Sequence, residues 1–236
     1  MAGVTSTRSR RYPAPVPRLA PIALALLLIL DTGLALAEDS SEILQETART
    51  YRAGRRLVQM WWLPVDYWVA SAREQSKTPA EIDEIRQVFR SYTLIGALDV
   101  DLRPDGSHDA LSTAEIVRRM EVEINGKRQQ VLRQVDERLQ ELAPDLSYVL
   151  QSSLVNLGGG LHILPLPNVM EDGRVVLRAG QAGKMLLRYR AVPDVAPIEF
   201  WWHAPLSSIA GAKRCKSGEK AEASWQYCPW DGSKIE

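Results

Sequence analysis

Residues that can be buried recur at near-helical spacing from 41 to 62, through Ile43, Thr47, Tyr51, Leu57, Val58 and Trp61, with Arg49, Arg52, Arg55 and Arg56 between them. That spacing predicts a helix, ended or kinked at Pro64. A short helical piece is expected over Asp66 to Gln75. Thr78-Pro79-Ala80-Glu81 reads as a helix start: Thr78 is the N-cap, Pro79 holds the first helical position and Glu81 completes a capping box. Ile82, Ile85, Val88 and Phe89 supply the apolar stripe of that helix. Residues 38–91 are therefore expected to be an all-helical layer.

At Tyr92 the period changes to alternation. Tyr92, Leu94, Gly96, Leu98, Val100 and Leu102 share one face and Thr93, Ile95, Ala97, Asp99 and Asp101 the other, which predicts a strand with a wet far end. Pro104-Asp105-Gly106-Ser107 supplies a turn. Ile116 to Ile124 alternates again, and the Asn125-Gly126 pair that follows is a hairpin signal, with Lys127 to Leu132 returning. Asp136 to Leu157 carries an amphipathic leucine stripe interrupted at Pro144, and Gly158-Gly159-Gly160 after it is read as a helix cap. Strands are expected at Leu161 to Leu166, Arg174 to Arg178, Met185 to Arg190 and Ile198 to Trp202. The resulting fold class is α+β: a helical layer on a mainly antiparallel sheet, with one inserted helix and a small C-terminal ribbon. The division is 1–37, 38–91, 92–210 and 211–236.

The first of these segments changes what the rest can be. Arg8, Arg10, Arg11 and Arg18 precede the apolar run Ile22 to Leu30, and Ala35-Leu36-Ala37 offers a small-residue cleavage site. This is the order of a secretory signal peptide, with cleavage expected after Ala37 and a periplasmic or secreted destination. A retained anchor fits less well, because the apolar run falls short of a spanning length of about 20 residues and Asp31 interrupts it. The whole chain is formally neutral; removal of 1–37 takes four basic and one acidic side chain with it and leaves −3. That balance gives no pull toward nucleic acid or an anionic membrane. About 199 residues then remain, enough for one sizeable core.

In an oxidising destination the two cysteines, Cys215 and Cys228, are expected to pair. Cys215-Lys216-Ser217-Gly218 and Cys228-Pro229-Trp230-Asp231-Gly232 stand like two knuckles. Residues 213–234 resemble a zinc ribbon of the C-x2-C…C-P-x-C-G kind in which Gly218 and Asp231 replace the second cysteine of each knuckle. The resemblance implies a zinc site whose opposed ligands lie close enough for a disulfide to take the metal's place. A structural disulfide is the preferred reading. Zinc held by Cys215, Cys228 and Asp231, with His203 as a further candidate ligand, or a redox role, is the alternative; no other cofactor is indicated.

Tryptophans are the remaining candidates. Trp61, Trp62, Trp68, Trp201, Trp202 and Trp230 form the candidate binding surface, with one member of each Trp-Trp pair expected inside and the other partly exposed. Asp99, Asp101 and Asp105 lack the calcium-loop spacing, and His108, His162 and His203 come with no nucleophile motif. The leading functional expectation is an exported, non-enzymatic protein that binds a protein partner of the envelope or extracellular space. A carbohydrate or small-molecule binding or hydrolysing protein, using the tryptophans with acids such as Asp66, Asp99 or Asp101, is the alternative, followed by metal handling through the ribbon.

Overall fold

The structure is a computed structural model, and it describes residues 39–142, 150, 160–170, 173–192, 194–211 and 213–235. The segment expected to be a signal peptide, most of the Asp136 to Leu157 stripe, and Gly158 and Gly159 lie outside the described residues. The fold is α+β with antiparallel sheets.

Helix α1 (Ser40–Thr47) opens at Asp39, whose side chain accepts from the Ser41 N–H. The chain then turns into a hairpin, β1 (Ala48–Ala53) and β2 (Arg56–Leu63), with Gly54 at the positive φ the turn demands. The all-helical layer expected over 38–91 is thus interrupted by two strands. Val58, Met60 and Trp62 alternate with Leu57, Gln59 and Trp61, a period of two that the near-helical spacing of Tyr51, Leu57 and Val58 concealed. Helices α2 (Val65–Glu74) and α3 (Pro79–Phe89) follow, the second with the Thr78/Glu81 capping box in place.

Strand β3 (Tyr92–Leu102) is the centre of the first sheet. It pairs with β2 on one side; on the other it meets β7 (Leu161–Pro167) along 92–98 and β4 (His108–Ala110) along 100–102. Its residues from Thr93 to Val100 are all buried, so both faces are covered. Residues 116–118, expected to begin a strand, instead end helix α4 (Thr113–Arg118). Ser112 and Glu115 form a second capping box there, a Ser-x-x-Glu signal legible in the sequence. The second sheet runs β6 (Lys127–Gln129), β5 (Met120–Ile124), β8 (Gly183–Tyr189), β9 (Ile198–Ala204). Asn125 and Gly126 take the positive φ angles of a tight hairpin turn between β5 and β6. A further helix, α5, occupies 137–142.

The two sheets share one core. Val58, Met60, Trp62, Ile95 and Ala97 of the first join Val122, Ile124, Met185, Leu187 and Trp202 of the second. Trp61 takes the other side of β2 with Leu63, beside Leu44, Leu150 and Leu161. There Gly96 admits the ring, since a Cβ at 96 would come within 3.3 Å of it. The strand expected at 174–178 is replaced by a side-chain mimic of one. The Asn168 amide accepts from Leu177 N–H at 3.0 Å and donates to Leu177 C=O at 3.1 Å, leaving only an isolated bridge between Val169 and Val175. After β9 come the short α6 (Ser207–Ala210) and the ribbon strands β10 (Lys213–Arg214) and β11 (Lys220–Ala221).

Candidate binding surfaces

The ribbon is built from two turns tied together twice. Within the first, Gly218 N–H donates to Cys215 C=O and Cys215 N–H to Glu219 C=O, each at 2.9 Å; within the second, Gly232 N–H donates to Cys228 C=O at 2.9 Å and Cys228 N–H to Ser233 C=O at 2.8 Å. The Cys215–Cys228 disulfide joins them, with Cα atoms 5.5 Å apart. Asp231 is the second tie. Its carboxylate accepts from Ser233 N–H at 2.8 Å and, across the gap, from Ser217 N–H at 3.1 Å. These bonds, first from Ser233 and then from Ser217, lower its pKa to about 2. The carboxylate lies within 4.8 Å of both sulfurs, where a fourth zinc ligand would stand, and it fixes the opposite turn by hydrogen bonding. Both sulfurs are consumed by the disulfide, which leaves no thiolate to hold zinc. His203 is not among the groups gathered at that point.

Around the disulfide Ala221 and Ile235 are buried, and Trp225 packs against them. Trp225 also lines a crevice with Glu42, Glu46, Ser207 and Ser208, where Ala223 N–H donates to the Ser207 hydroxyl. Glu46 caps α6 by accepting from Ser207 and Ser208 N–H at 2.7 and 2.8 Å. One side of the ribbon is therefore fastened to α1 and α6. Tyr227 and Trp230 stay in solvent at 61% and 59% exposure, the Trp230 ring 5.6 Å from that of Trp225.

The other tryptophans divide cleanly. Trp61, Trp62, Trp68 and Trp202 are in the core, so four of the six expected surface residues are structural. Both members of the Trp61-Trp62 pair are buried because β2 is covered on both faces, one by the second sheet and one by α1 and its neighbours. Trp68 stacks on Phe89 at 5.5 Å. Trp202 donates from Nε1 to Thr47 C=O at 2.6 Å, beneath the Arg49 guanidinium. Trp201 is exposed on the outer face of the second sheet, its ring parallel to that of His203 with centroids 6.0 Å apart. Beside it Glu199 accepts from Trp201 Nε1 and from Arg188, and Arg188 also donates to Glu123.

The acids named as partners of the tryptophans do not converge. Asp99 is buried between the sheets, paired with Arg56 through Nε and a terminal nitrogen at 2.8 and 2.6 Å, and it accepts from the Tyr189 hydroxyl at 2.6 Å. Burial first, and then that bond to Asp99, drive the Tyr189 pKa far above the usual phenol value. Asp101 pairs with Arg55 at the exposed end of β3. Asp66 lies in a cleft between α2, α3 and the segment around 177–181. His162 is held by Thr113 Oγ1 and Leu111 C=O, each at 2.8 Å, which is a structural role.

Sequence reading missed the Asp99–Arg56–Tyr189 link, whose parts are 43 and 90 residues apart in the chain. Its one visible signal is an aspartate on the inward-facing side of an otherwise apolar strand. No family model, curated protein or solved structure matches the chain.

Proposed function

We propose that this chain is an exported, non-enzymatic binding protein, sent to the periplasm or the extracellular space by residues 1–37. It docks a protein partner there through the aromatic side of its disulfide ribbon. The observation that carries the reading is the exposure of Tyr227 and Trp230 on a unit whose turns are fixed by both the disulfide and Asp231. Burial of a large aromatic side chain against a partner contributes about 1.5–3 kcal/mol. Rigid rings on a crosslinked scaffold lose little conformational freedom on docking, so most of that gain is kept. The near-neutral balance of charge supports a protein partner over nucleic acid.

The test uses the chain from residue 38, immobilised, with envelope and culture extracts. A single species retained by wild type and by Trp201→Ser, and lost by Tyr227→Ser/Trp230→Ser, is the expected result. Equal retention by the double variant, or no specific species on a folded protein, ends the reading.

One observation favours carbohydrate as a second ligand class. Trp201 and His203 present parallel rings on an open sheet face flanked by Arg188 and Glu199, an arrangement suited to stacking on a sugar. Glycan-array binding that disappears in Trp201→Ala is its expected signature.

A further inference from the structure

The cleft that holds Asp66 has a volume of about 510 Å³, within the range of small-ligand sites. Its floor is apolar: Trp62, Val69, Phe89 and Leu177 line it, and all four are buried. Its rim is cationic. Arg73 comes from α2, Arg86 from α3, Arg90 from the residue that ends α3, and Arg178 from the turn before β8. Asp66 is the single carboxylate of the lining. Burial raises its pKa, against the opposing pull of Arg86 and Arg73.

Four guanidinium groups around one carboxylate, on a chain of zero formal charge, concentrate like charges that repel one another. Arg86 is paired with Asp83. Among the described residues neither Arg90 nor Arg178 has an ion-pair partner. Thr93, whose side chain is polar, also lines the cleft.

We infer that this cleft binds a soluble amphiphilic anion, an apolar chain or ring ending in a carboxylate or phosphate. The apolar body lies on Trp62, Phe89 and Leu177, and the head group takes charge-assisted hydrogen bonds from Arg90 and Arg178. The site stands on elements other than the ribbon, so it holds or fails independently of the docking role of Tyr227 and Trp230.

Titration calorimetry on the chain from residue 38, with octyl phosphate, octanoate, octylammonium and inorganic phosphate, tests it. Octyl phosphate and octanoate are expected to bind. Octylammonium, which lacks the anion, and inorganic phosphate, which lacks the chain, should bind at least tenfold more weakly. Loss of two charge-assisted contacts in Arg90→Ser/Arg178→Ser should weaken octyl phosphate by about tenfold or more. Those two side chains are exposed and have no ion-pair partner among the described residues, so the variant should keep its wild-type melting temperature. Equal binding of octylammonium and octanoate, unchanged affinity in the arginine double variant, or binding to anionic phosphatidylglycerol vesicles without binding to the monomeric amphiphiles would each overturn the inference.

Discussion

Replacing both cysteines of the ribbon, Cys215→Ser/Cys228→Ser, should open the ribbon without loosening the sheets. The crosslink closes a loop with a sequence separation of 13, and the chain-entropy model assigns such a loop about 3 kcal/mol. Besides the Asp231 tie and the contact with α1 and α6, the ribbon has only a small apolar cluster to set against disorder. Its buried apolar residues are Cys215, Ala221, Cys228 and Ile235, with Trp225 against them, whereas each ordered residue costs about 1–2 kcal/mol of backbone entropy. A loss of about 3 kcal/mol raises the opening equilibrium about a hundredfold. The assay is limited trypsin digestion read by intact mass, since Lys213, Arg214, Lys216 and Lys220 all lie in the unit. Cleavage in the ribbon should accelerate by about the same factor while opening is fast relative to cutting. The denaturation midpoint of the body should stay put, because the ribbon's small cluster is separate from the core shared by the sheets. Wild-type resistance to trypsin in the double-serine variant, or an equal fall in the stability of the body, would refute the reasoning.

Asp99→Ala removes the anion from a buried pair and strands both Arg56 and the Tyr189 hydroxyl; urea unfolding should show a loss of about 3–5 kcal/mol, and Tyr189→Phe, which leaves the pair intact, about 1–1.5 kcal/mol. Gly160→Ala should destabilise by about 1–3 kcal/mol in the same assay, because the new Cβ would stand 2.7 Å from that of Ala110, an atom fixed to the backbone of β4. Glu81 has a pKa lowered to about 2 from 4.5 by its bonds to Thr78, so its contribution to α3 is complete above pH 4.5 and is lost as pH falls toward 2. Amide exchange at Glu81 and Ile82 should accelerate across that window and not above it. Asp231, lowered from 3.8 to about 2, behaves in the same sense, and exchange at Ser217 should follow it between those values, with Asp231→Asn removing the dependence.

Local chemistry was the legible part of the sequence. The Thr78-Pro79-Ala80-Glu81 box, the Asn125-Gly126 turn and the long alternation of 92–102 each name their own structure, because the interactions that enforce them are only a few residues apart. The two knuckles were legible for the same reason, and the structure adds that Asp231 stands in the lost cysteine's place as a hydrogen-bond acceptor. The hairpin at 48–63 was not legible, since a strand buried on both faces loses the polar half of its alternation and its apolar residues also fit a helical wheel. Nor was the fate of the tryptophans, which is decided by partners far along the chain: Trp202 is held by Thr47, and Trp61 by residues as distant as Leu161. The cleft is a matter of assembly alone, its arginines coming from two helices, a helix end and a loop.

The position of β3 also sets when this protein can fold. Its partner β7 does not arrive until residue 161, and the strands that supply Tyr189 and Trp202 to the core come later still. A chain made from its N-terminus therefore carries β1, β2 and β3 with one long open edge and an uncovered apolar face until most of it has been synthesised. Closure of the core thus waits for β8 and β9, which concentrates folding in the period after the last quarter of the chain has been made.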